Sequence, residues 1–473
     1  MHLRHLGALM LALLLPWTVA ATPLTLAMAP SSERGLASNS LSTLVWDGAR
    51  LWAASGSGVS HSLGVPTTAL DWVTFTTDDG LPSNIIPALA AQDGIVIVSA
   101  ASYDDPDLSY TLDRGDGLFR SDDLGATWDS LGLNRAVGIG NICWDVALAG
   151  NAVWAACWNG KATSDFPSGL ALSTDGGATW AYPDVADTIG PLCFALAAAD
   201  STCWVGTGQG IGRTTDFGAT WRSFSYASTD GDISGDWIVA LEVHPDDPQA
   251  VWAATRAIPS MDGQPGYGTD GACFSLDGGG AWHRIEELVG ASVWDFAFSG
   301  DTVWAATEEG LGFSPDRGAT WSLLTRDAGL PEEVFYSVAV VGSHVYAGSD
   351  DGLVWSNDRG VTWQVMLASQ PQGTLDTPEV YAYPNPFSPR RGQTARIRYS
   401  LGNSSRVWLR IFDFNEHVVR TLTDGQQRTL GDLLFESWDG LDDQGRLVPN
   451  GTYFFRLHAE RGAPSYGTIM VLD

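Results

Sequence analysis

Ser121-Asp122-Asp123-Leu124-Gly125-Ala126-Thr127-Trp128 decides the fold, because its pattern returns along most of the chain. Ser173, Asp175, Gly177, Thr179 and Trp180 keep the spacing, as do Thr214, Asp216, Gly218, Thr220 and Trp221. Ser275, Asp277, Gly279 and Trp282 form a weaker copy, with Ala281 in place of Thr. Ser314, Asp316, Gly318, Thr320 and Trp321 follow, then Ser356, Asp358, Gly360, Thr362 and Trp363. Each copy lies between two short apolar runs, where a hairpin turn belongs. The carboxylate accepts hydrogen bonds from the turn's own N–H groups. Glycine supplies positive φ where the chain reverses. The hydroxyls tie the two arms together, and tryptophan returns to the sheet with a large apolar face. Asp123, Asp175, Asp216, Asp277, Asp316 and Asp358 therefore read as structural; Ca²⁺ held by them is the alternative.

Upstream of each turn lies a strand ending in small residues, as in Val153-Trp154-Ala155-Ala156, Val251-Trp252-Ala253-Ala254 and Val303-Trp304-Ala305-Ala306. Another strand precedes it: 145–148, 194–198, 238–243, 295–298 and 336–341 in successive units. Four short strands per unit, with units about forty residues apart, make a propeller blade. Residues 41–75 read as one more unit with a degenerate turn at Asp71-Trp72, which raises the number of blades to seven.

The six copies resemble the Asp-box, or bacterial neuraminidase repeat, whose turns lie on the rim of propellers. Thr77 to Asn84 and Asp327 to Pro331 are similar to linkers of two-component-regulator propellers. Tyr383-Pro384-Asn385-Pro386-Phe387, then Trp438-Asp439-Gly440 through Asn450-Gly451 to Tyr453, resemble the immunoglobulin-like domain of flagellar hook-capping proteins. They resemble also the C-terminal sorting domains of type IX secretion, which implies secretion machinery as a partner of this domain. The chain ends without Lys or Arg, a departure from sorting tails, so a plain folding and spacing module stays open beside sorting. The expected architecture is all-β: a signal peptide at 1–21, a seven-bladed propeller at 36–368, a linker at 369–379 and an immunoglobulin-like sandwich at 380–473.

The apolar run Leu6–Leu15 is too short to span a bilayer, and small residues follow at Val19-Ala20-Ala21, as in an export signal. No later run is long enough to cross a membrane, so a secreted or outer-surface location is expected. The net charge of −30 repels phosphate backbones and excludes nucleic acid as a partner. An odd set of five cysteines, without CxxC or nearby histidines, reads as buried thiols. A bridge between blades from Cys143 to Cys193 is the alternative. No metal or cofactor is expected.

The Asp-box resemblance raises two enzyme readings. A sialidase implies an arginine triad, but the inner strands carry no arginine, and Arg50, Arg114 and Arg256 show no convergent spacing. A xyloglucanase-like glycoside hydrolase needs two acids across the channel. Asp145 and Asp295 hold matching inner-strand places, each after a tryptophan, and Glu242 is the other inner-strand acid. The structural alternative has Asp145 and Asp295 hydrogen-bonded inside the ring. Trp158 breaks the repeat pattern and is the candidate ligand contact. A binding or scaffold propeller for an extracellular glycan or protein is the leading expectation, with the glycoside hydrolase as the alternative. The acidic stretches 104–107 and 230–236 read as solvated loops.

Overall fold

The computed structural model describes residues 35–472 apart from 103–113, 134–141, 158–168, 184, 191, 259–266, 369–379, 384, 386, 392–393, 402–403, 415–416, 429–430 and 461–463. The signal segment, Asp104 to Asp107, Trp158 and the linker 369–379 lie outside the described residues.

Seven antiparallel sheets form the blades of a propeller. Six are four-stranded meanders; in blade 3 the fourth strand is reduced to one bridge between Leu172 and Ala181. The innermost strands are Thr43–Trp46, Ile85–Gln92, Cys143–Ala149, Cys193–Ala199, Trp237–His244, Val293–Ser299 and Ser337–Val341. Each packs on the next, and the last packs on the first. The second strands are buried on both faces, so they read as unbroken apolar runs instead of alternating ones. Their alanines let neighbouring sheets approach, while Trp52, Trp154, Trp204 and Trp252 are fully enclosed.

Box tryptophans join blades. Trp221 meets Trp154 of the preceding blade edge-on at 6.2 Å, Trp282 meets Trp204 at 6.0 Å, and Trp363 meets Trp304 at 6.0 Å. Such pairs add about 0.5–1.5 kcal/mol each beyond buried area. Inside a box, Asp175 accepts from the Ser173 hydroxyl at 2.7 Å, the Thr179 N–H at 2.8 Å and the Thr179 hydroxyl at 2.6 Å. Ser173 in turn accepts from the Gly177 N–H at 2.8 Å. These bonds, led by the Thr179 hydroxyl, pull the Asp175 carboxyl down to about 2. The same network recurs at Asp216, Asp316 and Asp358, whereas at Asp277 the Ala281 N–H alone remains of the threonine pair. In blade 1, Asp71 caps a short turn instead, accepting from the N–H groups of Thr67 and Thr68 at 2.8 Å each.

The boxes share one end of the ring with the hairpins that join first and second strands. The N–H groups of Gly176, Phe217, Gly278, Arg317 and Arg359 donate to the carbonyls of Asn151, Ser201, Gln249, Asp301 and Ser343. The opposite end holds the starts of the inner strands. There Gly310 opens the third strand of blade 6 at φ +139°, where a Cβ would run into the Leu324 carbonyl.

A clasp closes the ring. Residues 35–42 run between blade 7 and blade 1: the Leu41 N–H donates to Ser349 at 2.9 Å, and Asn39 accepts from the N–H groups of Gly352 at 2.7 Å and Ala368 at 2.6 Å. Leu36, Leu41, Leu44 and Trp72 then pack with Tyr346, Leu353 and Trp355.

The cysteines depart from the sequence reading. Cys143 and Cys157 are joined by a disulfide within blade 3, and Cys143 makes no bridge to Cys193. Antiparallel pairing sets Cys143 opposite Cys157 on adjacent strands, whereas Cys193 belongs to the next blade. Cys193, Cys203 and Cys273 are buried thiols.

The C-terminal domain is a β-sandwich. One sheet has Tyr381–Tyr383, Ala395–Leu401 and Gly431–Trp438; the other orders Val418–Arg428, Ser405–Phe412, Gly451–Ala459 and Ser465–Val471. Trp438 plugs the core, T-shaped against Tyr453 at 5.2 Å, with its indole N–H donating to Leu441 at 3.0 Å. Asn385 pairs with the last strand, donating to Thr468 at 2.8 Å and accepting from Met470 at 2.8 Å. Arg396 and Arg398 of this domain reach Glu332 and Asp351 of blade 7. Arg398 is 2% exposed, Glu332 3% and Asp351 0%, so the cluster is a buried ionic junction.

Candidate functional site at the channel mouth

Five inner strands carry an irregularity at the same place, which in blade 2 falls between Ile85 and Ala88. Cys143 pairs with Cys157 and Asp145 with Ala156, leaving Trp144 as an extra residue. Phe194 is skipped between Cys193 and Ala195, Val239 between Ile238 and Ala240, and Trp294 between Val293 and Asp295. Tyr336 holds the equivalent place in blade 7, just ahead of Ser337, which faces Gly348. A bulge frees one residue from the ladder and re-aims its side chain, and bulges recur beside binding and active sites. In blades 3 to 6 the freed residue is aromatic in three of four, Tyr336 holds the matching place ahead of the unbulged inner strand of blade 7, and all five positions lie at the end of the ring opposite the boxes.

These rings form an arc at the channel mouth. Trp144 is 40% exposed, and the others are half-buried. In blade 5, Trp237 takes up the aromatic role two residues before the bulge and lies 5.5 Å from Phe194. Trp294 and Tyr336 lie 6.2 Å apart. The Arg256 guanidinium sits 4.5 Å over Trp294, whose indole N–H donates to Glu308 at 3.1 Å. The Tyr336 hydroxyl donates to Asp350 at 3.1 Å. This leaves flat apolar faces flanked by a cation and several carboxylates, a surface suited to sugar rings or to extended peptide.

The predicted acids follow the bulges directly. Asp145 accepts from the Val146 N–H and, across to blade 4, from the Leu196 N–H, both at 2.7 Å. Asp295 accepts from Phe296 and, across to blade 7, from Val338, both at 2.8 Å. Both side chains thus join adjacent blades by the same bond. Both are half-buried by surface area while protein crowds their carboxylates, and burial, against these N–H bonds, pushes each up to about 7. Glu242 is driven up by burial and then by the charges of Asp295 and Asp145. Asp145 and Asp295 stand three blades apart, on separate sectors of the ring.

Sequence reasoning missed the arc. Its signal was the pair Trp144-Asp145 and Trp294-Asp295, read for its acids and not for its rings. In the stretch 230–236, Asp236 is buried and orders its loop, accepting from the Tyr226 N–H at 2.6 Å and the Tyr267 hydroxyl at 3.0 Å. Among the described residues, no group of three or more His, Cys, Asp or Glu side chains is arranged to hold a metal ion.

Fold and site together define a propeller protein with an appended immunoglobulin-like module. Residues 389–463 match the FlgD Ig-like domain. A comparison with curated protein sequences finds no match. Among solved structures, the chain is similar to the GH74 enzyme of Niastella koreensis, with 12% identity over 93% of this chain and 74% of that one and a TM-score of 0.52. An ancestral GH74 enzyme gives 12% identity, 92% and 62% coverage and 0.51. YCF48 bound to D1 peptide gives 14% identity, 68% and 93% coverage and 0.45. At these identities the likeness is one of fold alone. Among the described residues, no helix is long and apolar enough to cross a membrane.

Proposed function

We propose that the chain is an extracellular or cell-surface binding protein whose propeller, spanning 36–368, holds a glycan or protein segment across the channel mouth. The observation that carries this reading is the aromatic arc of Trp144, Phe194 and Trp294, each at a bulge, joined by Tyr336 at the matching place in blade 7. A closed ring needs no such rings for its own core, and side chains released on several adjacent blades give a ligand several contacts on a rigid frame. The Cys143–Cys157 disulfide supports an oxidising location. The domain at 380–473 serves export or attachment to the surface. A glycan and peptide array with the full chain tests the binding reading. Binding lost in Trp294→Ala, with an unchanged melting curve, supports it; binding untouched by Trp144→Ala and Trp294→Ala together overturns it.

A second reading keeps one observation in its favour: Asp145 and Asp295 lie just beneath the arc with raised proton affinities, and glycoside hydrolysis needs one such acid beside one ionised carboxylate. Turnover of a polysaccharide that disappears in Asp295→Asn, with folding intact, would establish it. Truncation at the linker tests export: if the shortened chain reaches the medium at the normal level, the sorting role fails.

A further inference from the structure

The outer face of the C-terminal sandwich does not look like a solvated sheet. Along Ser405–Phe412 and Gly451–Ala459, Val407, Leu409 and Ile411 face the core opposite Leu457 and Phe455. The residues between them face outward, where an antiparallel sheet open to water ordinarily carries mixed polar side chains. Instead three successive cross-strand pairs stand there: Trp408 with His458, Arg410 with Arg456, and Phe412 with Phe454. Like charges set directly opposite each other destabilise a sheet, so the arginine pair needs a compensating anion.

The structure compensates only half of it. Arg410 donates to Asp424 at 2.8 Å, yet its Nε is buried with no hydrogen-bond partner. Arg456 has no carboxylate within ion-pair distance among the described residues and lies over the Phe412 ring at 5.6 Å. Trp408, Arg410, Arg456 and His458 line a cavity of about 260 Å³. That falls just under the roughly 300–1,000 Å³ of drug-sized sites, so it holds one ring and not a long chain. The charge background sharpens the point. Residues 380–473 hold 11 arginines against 10 carboxylates, so the net charge of −30 belongs to the rest of the chain.

We propose that this pocket binds a uronic-acid residue of an acidic saccharide. The sugar ring lies on the Trp408 indole, and its carboxylate sits between Arg410 and Arg456. Arg456 is the one cation in excess there, which matches a monovalent carboxylate better than a dianionic phosphate ester. The site lies on a separate domain from the channel mouth and does not rest on the reading of that mouth.

Calorimetric titration of the full chain with tetragalacturonate, its fully methyl-esterified form and glucose 1-phosphate tests the proposal. The expected result is binding of tetragalacturonate alone, weakened tenfold or more in Arg456→Gln and partly in Trp408→Phe. Arg456 is exposed, so its variant should melt as the parent does. Equal binding of the ester, preference for the phosphate, undiminished binding in Arg456→Gln, or no binding of tetragalacturonate at millimolar concentration overturns it. So does self-association of the parent that Arg456→Gln abolishes, since the face is then an interface between copies.

Discussion

The two ends of the propeller are built from the same repeats and obey opposite rules. At the box end, blades 2 to 7 present the same Asp, Ser or Thr, and Gly, with hydrogen bonds that close within the turn or onto the neighbouring hairpin. At the mouth end, a bulge in the inner strands of blades 3 to 6 releases one side chain each, whose identity changes from Trp to Phe, Val and Trp, with Tyr336 at the matching place in blade 7. Regularity is kept where the fold must be held, and variety sits where the backbone has let a residue go. The ionic junction with the C-terminal domain also belongs to the mouth end, since Asp351 lies in the loop between second and third strands of blade 7.

The strongest way to break this contrast is Arg398→Met. It removes the fully buried cation of the cluster and leaves Glu332 and Asp351 to the more exposed Arg396 and Arg326, so a loss of about 3 kcal/mol is expected in denaturant unfolding. An unchanged midpoint would mean that the junction does not hold the two domains together. Next comes Trp294→Ala, for which a tenfold or greater loss of ligand affinity is expected, read by titration with the best array hit, while thermal stability holds.

The third test separates the ends by pH. Asp145 and Asp295 are raised to about 7 by burial from a usual value near 3.8, so folding favours their protonated forms. The stability they contribute is full below about pH 4 and is lost as pH rises through 7. Glu332, raised to about 7 by burial and then by Asp351, adds to the same limb. Asp175 and Asp358 are lowered to about 2, so their contribution is full above about pH 4 and is lost as pH falls towards 2. Asp295→Asn should flatten the melting temperature between pH 4 and 7 and leave the acid limb as it was. The smallest effect is expected from Asp175→Ala or Asp316→Ala: melting a few degrees lower, as one turn of many loosens, with ligand affinity unchanged. Loss of affinity without loss of stability would put the boxes in the site.

The contrast also explains what could be read from the sequence. A box closes over eight residues, so Asp175, Gly177 and Thr179 announce their own hydrogen bonds by spacing. A bulge is a relation between two strands, and nothing local to Trp144 or Phe194 declares which residue the ladder will skip. The bond between Cys143 and Cys157 depends on that same skip, which sets the two opposite each other. The pairing of Arg398 with Glu332 joins two domains across 66 residues, beyond the reach of any periodicity.

The clasp at the seam has a consequence for the order of assembly. Neighbouring blades meet across about forty residues, but Asn39 waits for Ala368, 329 residues later. By the logarithmic growth of loop-closure entropy, three doublings of length add roughly 2 kcal/mol to that closure. Until it forms, the apolar flank of blade 1, with Leu36, Leu41, Leu44 and Trp72, has no partner. The circle is therefore the last thing to be made. Its weakest moment falls while the chain is nearly complete and still open, when the unpaired flanks of blades 1 and 7 can meet those of another molecule as readily as each other.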